Sequence, residues 1–194
     1  MFENLRHYEI ILASNSPRRK DLLSRLGLEF KVFTLFGIDE SYPEGLAAEE
    51  IALHIATKKA DAYKHLATDN KLIITADTIV IVDGEVLGKP RDAEDAAQML
   101  RSLSGREHTV VTAIAVSTKD KTMKEAVTTK VTFATLSEEE IDFYITNYLP
   151  FDKAGGYGIQ EWIGLVAVER IEGSFFNVIG LPVQRLYKML QTIQ

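Results

Sequence analysis

The sequence predicts an α/β fold with a mixed sheet. Buried strand-like runs alternate with amphipathic helical segments along the chain. At least two pairs of strands are joined as hairpins, one of them through the turn dipeptide Asp83 and Gly84. A regular array of parallel strand–helix–strand units contains no hairpins, so parallel and antiparallel strands are both expected.

Length and composition are those of one domain, with at most two small lobes that share a core. The chain has 194 residues, of which 46% are hydrophobic. Its net charge of −6 argues against broad nucleic-acid binding but not against a small anionic ligand in a local basic pocket. The absence of cysteine excludes disulfides, thiolate zinc sites and cysteine nucleophiles. Because neither a membrane-length apolar run nor a signal-peptide core occurs, a soluble cytoplasmic protein is expected.

Strands are predicted where short runs are continuously apolar or alternate between apolar and polar residues. In chain order these runs are residues 9–13, 29–34, 72–76, 78–82, 85–87, 108–117, 123–133 and 165–171. The two runs within residues 72–82 are expected to meet at a bend beside Asp77.

Helices are predicted where apolar residues recur on one face between capping signals. They are expected at residues 17–26, 47–66, 92–103, 137 to about 148 and 182 to about 192. Ser16 and Pro17 suit the start of the first helix, and Gly27 suits its end. Asp92 is a good N-cap for the third helix, and Ser137 with Glu140 forms a capping box for the fourth.

The segment SNSPRRKDLL places two arginines on a core-facing stripe. Arg18 and Arg19 share one sector of the first helix with its leucines, at the N-terminal end. A guanidinium group there needs an anion or a carboxylate, and a helix N-terminus itself favours anions. With Ser14 and Ser16 beside them, the arginines predict a phosphate cradle. The alternative is that they pair with protein carboxylates or extend to water.

Lys59 is a cation on an apolar face. It falls within the apolar sector of the helix predicted at residues 47–66. A lysine can extend its ammonium group from such a face to water, which is the structural explanation. The functional alternative is a second cation for the same anion.

Asp77 is the only charged residue in the run LIITADTIVIV. A carboxylate in such surroundings needs a metal, a cation or several N–H donors, so we favour catalysis or metal binding over a turn cap. Glu40, in the loop predicted at residues 36–45, is a second candidate ligand. By sequence alone Asp39 and Glu44 fit that role equally well.

The segment DKAGGYGIQ is rich in glycine. Gly155, Gly156 and Gly158 would allow a ligand to approach the backbone, although a tight turn explains them too. Gln160 offers a donor and an acceptor side by side, which match the imide edge of uracil or thymine, or other bases after an amide flip. Lys89, in GKP, resembles a surface lysine when it is considered alone.

Together these motifs resemble the Maf family of nucleoside triphosphate pyrophosphatases over nearly the whole chain. The resemblance rests on LASNSPRRKDLL, TADTIV, GEVLGKPRDAEDAAQMLRSLSG, HTVVTAIAV and DKAGGYGIQ with the later GLPV, in this order. Arg18, Thr78 and Gln160 match the branch that acts on dTTP and UTP, whereas the branch that acts on methylated GTP typically differs there. One departure from the family pattern is a slightly longer stretch before Gly37.

This resemblance implies one domain over residues 1–194, with an elongated, curved mixed sheet flanked by helices and a central cleft, similar to inosine triphosphate pyrophosphatases. The implied reaction cleaves the α–β bond of a nucleoside triphosphate with water, giving a nucleoside monophosphate and pyrophosphate. The implied cofactor is a divalent cation, usually Mg²⁺, with Mn²⁺ or Co²⁺ as alternatives. The implied assembly is a homodimer that has no nucleic-acid or membrane partner.

Residue by residue, Asp77 matches the family's proton acceptor. The polar cleft residues are Ser14, Arg18, Arg19, Glu40, Lys59 and Lys89, and the specificity positions are Arg18, Thr78 and Gln160. Physical chemistry agrees, because four cationic side chains and a metal would neutralise the roughly four charges of a triphosphate. Glu40 and Asp77 are the expected metal ligands, and Asp77 would orient or deprotonate the attacking water. The rival function is a nucleotide-binding regulator of cell division with incidental hydrolysis, and a second enzymatic alternative is a housekeeping enzyme for modified nucleotides.

Overall fold

The computed structural model describes residues 2–193, which form strands and helices in alternation. The strands are β1 (Glu9–Leu12), β2 (Lys31–Val32), β3 (Lys71–Val82), β4 (Glu85–Leu87), β5 (Glu107–Ser117), β6 (Thr122–Phe133) and β7 (Val168–Glu172). The α-helices are α1 (Pro17–Ser24), α2 (Ala48–Tyr63), α3 (Ala93–Leu103), α4 (Glu138–Tyr148), α5 (Trp162–Val166), α6 (Phe175–Ile179) and α7 (Val183–Gln191). Short 3-10 turns cover Glu3–Leu5, Lys64–Leu66, Pro150–Asp152 and Ala154–Gly156.

The seven strands pair in one mixed sheet of order β2-β1-β3-β5-β6-β7, with β4 paired to β3. Strand β1 is parallel to β2 and to β3, whereas β4 is antiparallel to β3. Strand β7 is antiparallel to β6, with an irregularity at Thr132 and Phe133. Parallel and antiparallel pairs therefore occur together, which confirms the predicted mixed α/β class.

Two compact units make up the chain. The first contains Met1–Asp77, Thr112–Val127 and Gly180–Gln194, and the second contains Thr78–Val111 and Thr128–Ile179. In the first, buried residues such as Ile11, Tyr63 and Ile73 pack together. In the second, the core includes Leu100, Phe133 and Tyr144. A single domain with at most two lobes remains a prediction.

The predicted N-terminal helix caps are confirmed, whereas α1 ends at Ser24 and not at the residue before Gly27. The side chain of Ser16 accepts a hydrogen bond from the backbone of Arg19 at the start of α1, and that of Asp92 does so from Asp95 at the start of α3. Ser137 and Glu140 exchange backbone–side-chain bonds of 3.2 and 2.7 Å at the start of α4. These bonds satisfy N–H groups that have no partner inside the helix.

Three details of the predicted elements are wrong. Residues 72–76 and 78–82 belong to one continuous strand, β3, and not to two strands that meet beside Asp77. Residues 165–171 do not form one strand, since α5 precedes β7 and Leu165 is 83% exposed. Strand β2 covers two residues of the six expected, and its register pairs it with β1.

Candidate active site

Lys59 joins two carboxylates that the sequence singled out. Its Nζ lies 2.5 Å from Oδ1 of Asp77 and 2.9 Å from Oε1 of Glu40. The side chains of Lys59 and Asp77 are 15% and 11% exposed, and that of Glu40 is 51% exposed. Helix α2 supplies the lysine, β3 supplies Asp77, and the loop between β2 and α2 supplies Glu40. The first unit thus brings three of the predicted site residues into contact.

The position of Lys59 on α2 explains why a lysine occurs on an apolar face. Ile55, Ala56, Ala60 and Tyr63, on neighbouring turns of the helix, are buried. The lysine side chain is mostly buried with them, and its ammonium group is bound by carboxylates. A buried charge is stable in a fold only when it is paired in this way, so the ion pair accounts for the residue.

The adjacent Lys58 holds the loop that carries Glu40. Its Nζ lies 2.5 Å from Oδ2 of Asp39 and 3.1 Å from the carbonyl oxygen of Ser41. Asp39 also accepts a bond of 2.9 Å from the backbone N–H of Ser41, and these bonds lower the pKa of its carboxyl group, the one from Lys58 most strongly. Asp39 is therefore occupied by Lys58, and Glu40 is the loop acid that shares Lys59 with Asp77.

Arg19 connects three backbone segments of the first unit. Its Nε donates to the carbonyl oxygen of Gly180 at 2.8 Å, and its Nη1 donates to the carbonyl oxygen of Ala76 at 2.8 Å. Nη1 also lies 3.3 Å from Oγ of Ser14. The main-chain acceptor Ala76 directly precedes Asp77 in β3. Arg19 thus ties the start of α1 to the segment that carries the carboxylate.

Charges around Arg19 act on its guanidinium group. Burial lowers its pKa most, and the neighbouring charge of Arg18 lowers it further, whereas Asp77 and Glu40 raise it. This mutual influence shows that two arginines and two carboxylates occupy one region of the first unit. Since the ordinary pKa of arginine is far above neutrality, Arg19 stays protonated.

Ser14 and Arg18 complete this end of α1. Ser14 is 7% exposed, and its Oγ accepts a bond of 3.3 Å from the backbone N–H of Ser16. Arg18 is half-buried in the first turn of α1 and has interactions of its own within the protein. The hydroxyl, the two guanidinium groups and the helix N-terminus together resemble the predicted anion cradle.

The carboxylates of Glu40 and Asp77 suit a divalent cation. Both bind the same ammonium group, so their oxygen atoms already converge on one positive charge. Within residues 2–193 no cluster of three or more metal-ligating side chains is found. Two carboxylates, with water and phosphate oxygens as the other ligands, are a donor set that Mg²⁺ commonly takes. The residues therefore fit a cation that binds together with its substrate.

Three predicted site residues belong to the second unit. Thr78 follows Asp77 directly in β3 and is half-buried. Lys89 is exposed in the loop between β4 and α3, and Gln160 is exposed just before α5. Their roles stay predictions.

Gly155 and Gly158 of DKAGGYGIQ are explained by packing inside the second unit. Gly155 has a φ of 70°, and a Cβ atom there would lie 2.9 Å from the side chain of Val80. A Cβ atom on Gly158 would lie 2.9 Å from Cδ of Glu161 and 3.0 Å from Cε of Lys153. Packing therefore accounts for Gly155 and Gly158, and approach of a ligand to this backbone stays a prediction.

A buried polar network around Glu161 was not predicted. Lys153 is 7% exposed, and its Nζ lies 3.2 Å from Oε1 of Glu161 and 2.7 Å from Oδ1 of Asp152. The hydroxyl group of Tyr144 donates to Oε2 of Glu161 and accepts a bond of 2.9 Å from the N–H of Gly158. No sequence period links these residues, because they belong to different elements. Gly158, which leaves room for Glu161 and Lys153, was the only signal in the sequence noted near this network.

A search of the helices within residues 2–193 finds none with the length and apolar character that crossing a membrane requires.

Comparison with known proteins places the chain in a family. The model of the family described as Maf-like protein matches residues 9–193. The dTTP/UTP pyrophosphatase of Phocaeicola vulgatus is 58% identical over 193 residues, covering 100% of both chains. Those of Porphyromonas gingivalis strain ATCC 33277 and Bacteroides fragilis strain YCH46 are 54% and 53% identical, covering 98% and 100% of this chain and 97% and 100% of theirs.

Among solved structures, the Ham1 protein of Staphylococcus aureus matches with a TM-score of 0.44 and 22% identity, over 65% of this chain and 72% of its own. A likeness of this size carries no inference about function. The family model and the full-length relatives do carry one about descent, and they establish that the chain belongs to the Maf family.

Proposed function

We propose that this protein hydrolyses the α–β phosphoanhydride bond of pyrimidine nucleoside triphosphates, dTTP and UTP, to a nucleoside monophosphate and pyrophosphate. The observation that carries the proposal is the ammonium group of Lys59 between the carboxylates of Asp77 and Glu40. The substrate choice is supported by full-length relatives named dTTP/UTP pyrophosphatase. Because these names describe enzymes, they favour hydrolysis over a purely regulatory nucleotide-binding role.

The cationic side chains are proposed to bind the triphosphate. Lys59 and Arg18 would contact its oxygen atoms, with Ser14 as a hydroxyl donor and Lys89 as a further cation. Nε and Nη1 of Arg19 donate to main-chain oxygens, so its proposed contribution is a fixed positive charge near Asp77. Preorganised charges of this kind stabilise the negative charge that develops on the leaving pyrophosphate.

Asp77 is proposed to orient the attacking water and to accept its proton. Hydrolysis adds the water oxygen to phosphorus, breaks the α–β bridge and leaves one proton, which the carboxylate takes. Because an aspartate is a weak base at neutral pH, the fixed orientation of the water matters more than basicity.

Glu40 and Asp77 are proposed to hold the divalent cation, Mg²⁺, with Mn²⁺ or Co²⁺ as alternatives. When bound, such an ion neutralises phosphate charge and polarises water. Lys59 would then move from the carboxylates towards the phosphates, since a flexible lysine can exchange one anion for another.

Recognition of the base is proposed for the specificity positions. Gln160 would pair its amide with the imide edge of uracil or thymine, and Arg18 and Thr78 would complete the selection. The proposed form is a cytoplasmic homodimer that binds neither nucleic acid nor membrane. Light scattering at several protein concentrations tests the assembly.

A substrate panel tests this function. Purified protein is incubated with Mg²⁺ and with each of dTTP, UTP, CTP, ATP, GTP and base-modified pyrimidine triphosphates, and released pyrophosphate is counted. We expect dTTP and UTP to be turned over with the highest kcat/KM. No turnover of any pyrimidine triphosphate would contradict the proposal. Preference for a modified base would favour the housekeeping alternative, and tight binding without turnover would favour the regulatory one.

A further inference from the structure

The ammonium group of Lys59 lies between the two acids that are proposed to hold the metal. Its Nζ is 2.5 Å from Oδ1 of Asp77 and 2.9 Å from Oε1 of Glu40. A metal bound through the same two oxygen atoms needs that space, and two adjacent positive charges repel each other. The ammonium group and a divalent cation therefore compete for this pair of carboxylates.

Burial makes the competition matter, and exposure of one partner makes exchange feasible. The side chains of Lys59 and Asp77 are 15% and 11% exposed, so the carboxylate of Asp77 needs a positive partner in the folded protein. The side chain of Glu40 is 51% exposed, which gives solvent access to the ion pair. A lysine carries its charge on a flexible four-carbon stem, so one cation can replace the other without unfolding of the helix.

The preceding lysine of α2 is bound differently. The Nζ of Lys58 lies 2.5 Å from Oδ2 of Asp39, 3.1 Å from the carbonyl oxygen of Ser41 and 3.3 Å from its hydroxyl oxygen. Lys58 thus fastens the loop on either side of Glu40, in part through a main-chain oxygen. The loop keeps this anchor when Lys59 leaves the carboxylate, so the two lysines have separate roles.

We propose that Lys59 is the resident counter-ion of this site, which keeps a divalent cation from Glu40 and Asp77 until phosphate draws the ammonium group away. The inference rests on the proposed function and adds a dependence to it, since the carboxylates bind metal tightly only together with phosphate. By linkage, the metal then strengthens the binding of phosphate by the same factor. All three residues belong to the first unit.

The first test measures the affinity for Mn²⁺ alone, without nucleotide. Electron paramagnetic resonance of free Mn²⁺ is recorded for the wild type, Lys59→Met and Lys58→Met, and thermal unfolding checks each fold. We expect Lys59→Met to bind Mn²⁺ about tenfold more tightly than the wild type, because the carboxylates lose their competitor. Lys58→Met removes the same charge one residue away and should stay within about twofold of the wild type. Equal affinities of the two variants, or no gain in Lys59→Met, overturn the inference.

The second test asks whether phosphate moves the lysine. UMP should raise the affinity for Mn²⁺ more in the wild type than in Lys59→Met, because the variant has no ammonium group to displace. An equal gain from UMP in the two proteins overturns the exchange. Absence of pyrophosphate release from every pyrimidine triphosphate overturns the proposed function, whereas the competition measured with Mn²⁺ alone is unaffected by it.

A measurement on the wild type keeps the inference testable if Lys59→Met does not fold. Trace acetylation with acetic anhydride, followed by mass spectrometry of the peptides, gives the reactivity of Lys59 relative to the exposed Lys64. Saturating Mg²⁺ should raise this ratio several-fold, because the displaced amine leaves its ion pair. A ratio that Mg²⁺ does not change overturns the inference.

Discussion

The ammonium nitrogen of Lys59 lies 2.5 Å from Oδ1 of Asp77, and less than one sixth of either side chain is exposed. The two residues come from different elements, α2 and β3. Removing one member of a mostly buried ion pair leaves the other charge without a partner. The typical loss is about 3–5 kcal/mol of folding free energy. Variants at this pair therefore have to preserve shape, and their stability has to be measured beside their activity.

Asp77→Asn is expected to lower kcat for UTP by at least about a hundredfold, since general-base contributions are typically of this size. The amide keeps the shape of the side chain but cannot take the proton of water. Pyrophosphate release gives the rate, and circular dichroism confirms the fold. Asp142→Asn, at an exposed position of α4, is the matched control and should retain full activity. A kcat near the wild-type value would remove Asp77 from the mechanism.

Lys59→Met is expected to lower kcat/KM for UTP by about a hundredfold, because one preorganised cation at the phosphates is lost. The thioether side chain fills most of the space of the lysine stem. Lys64→Met changes an exposed lysine just beyond α2 and serves as the control. Equal kcat/KM values for the two variants would show that Lys59 is structural.

Arg19→Lys is expected to reduce both stability and activity. A lysine cannot donate in the directions of Nε and Nη1 at once, so the carbonyl groups of Gly180 and Ala76 lose partners. The loss of free energy of unfolding should be about 2 kcal/mol, measured by urea denaturation. Arg25→Lys, at an exposed position after α1, should change neither quantity. A fully stable Arg19→Lys protein would contradict the tie between these segments.

Glu40→Gln is expected to weaken metal binding about tenfold, because one of two charged oxygen donors becomes neutral. Electron paramagnetic resonance of free Mn²⁺, titrated with protein in the presence of UMP, measures the affinity without turnover. Removing metal with EDTA should abolish pyrophosphate release, and Mg²⁺ should restore it. Glu44→Gln lies in the same loop and is the control. Mn²⁺ affinity equal to that of the wild type would exclude Glu40 as a ligand.

His108 is expected to make the protein less stable in mild acid. Burial lowers its pKa from 6.5 to about 4, while its Nε2 lies 2.6 Å from the hydroxyl oxygen of Tyr157. Between these values the unfolded chain binds a proton that the folded protein does not, so stability falls as pH falls from about 6.5 to 4. The loss is about 3 kcal/mol.

The variant His108→Gln should lose this part of the pH dependence in urea denaturation between pH 7 and pH 4.5. Since His65 is exposed, His65→Gln should retain it. An identical pH profile for His108→Gln and the wild type would contradict this prediction.

Local interactions made much of the fold predictable. The caps at Ser16, Asp92 and Ser137 act within one helical turn, and apolar periodicity needs only neighbouring residues. The charged residues Lys59 and Asp77 could also be identified from the sequence, because each lies among apolar residues that the pattern predicts to be buried. The prediction of one strand at residues 165–171 was wrong, because an apolar run in the sequence does not reveal whether its residues face the core or solvent.

The sequence by itself determined the mixed α/β class, the caps and the residues whose charges require compensation. Only the tertiary structure decided that Lys59 meets both Glu40 and Asp77, that Asp39 belongs to Lys58, and that Tyr144 holds the segment of Gln160. The acceptors of Arg19 include the carbonyl oxygen of Gly180, 161 residues away. A main-chain acceptor cannot be recognised from the identity of its residue. Partners of this kind are chosen by the path of the folded chain, because every residue offers the same backbone groups.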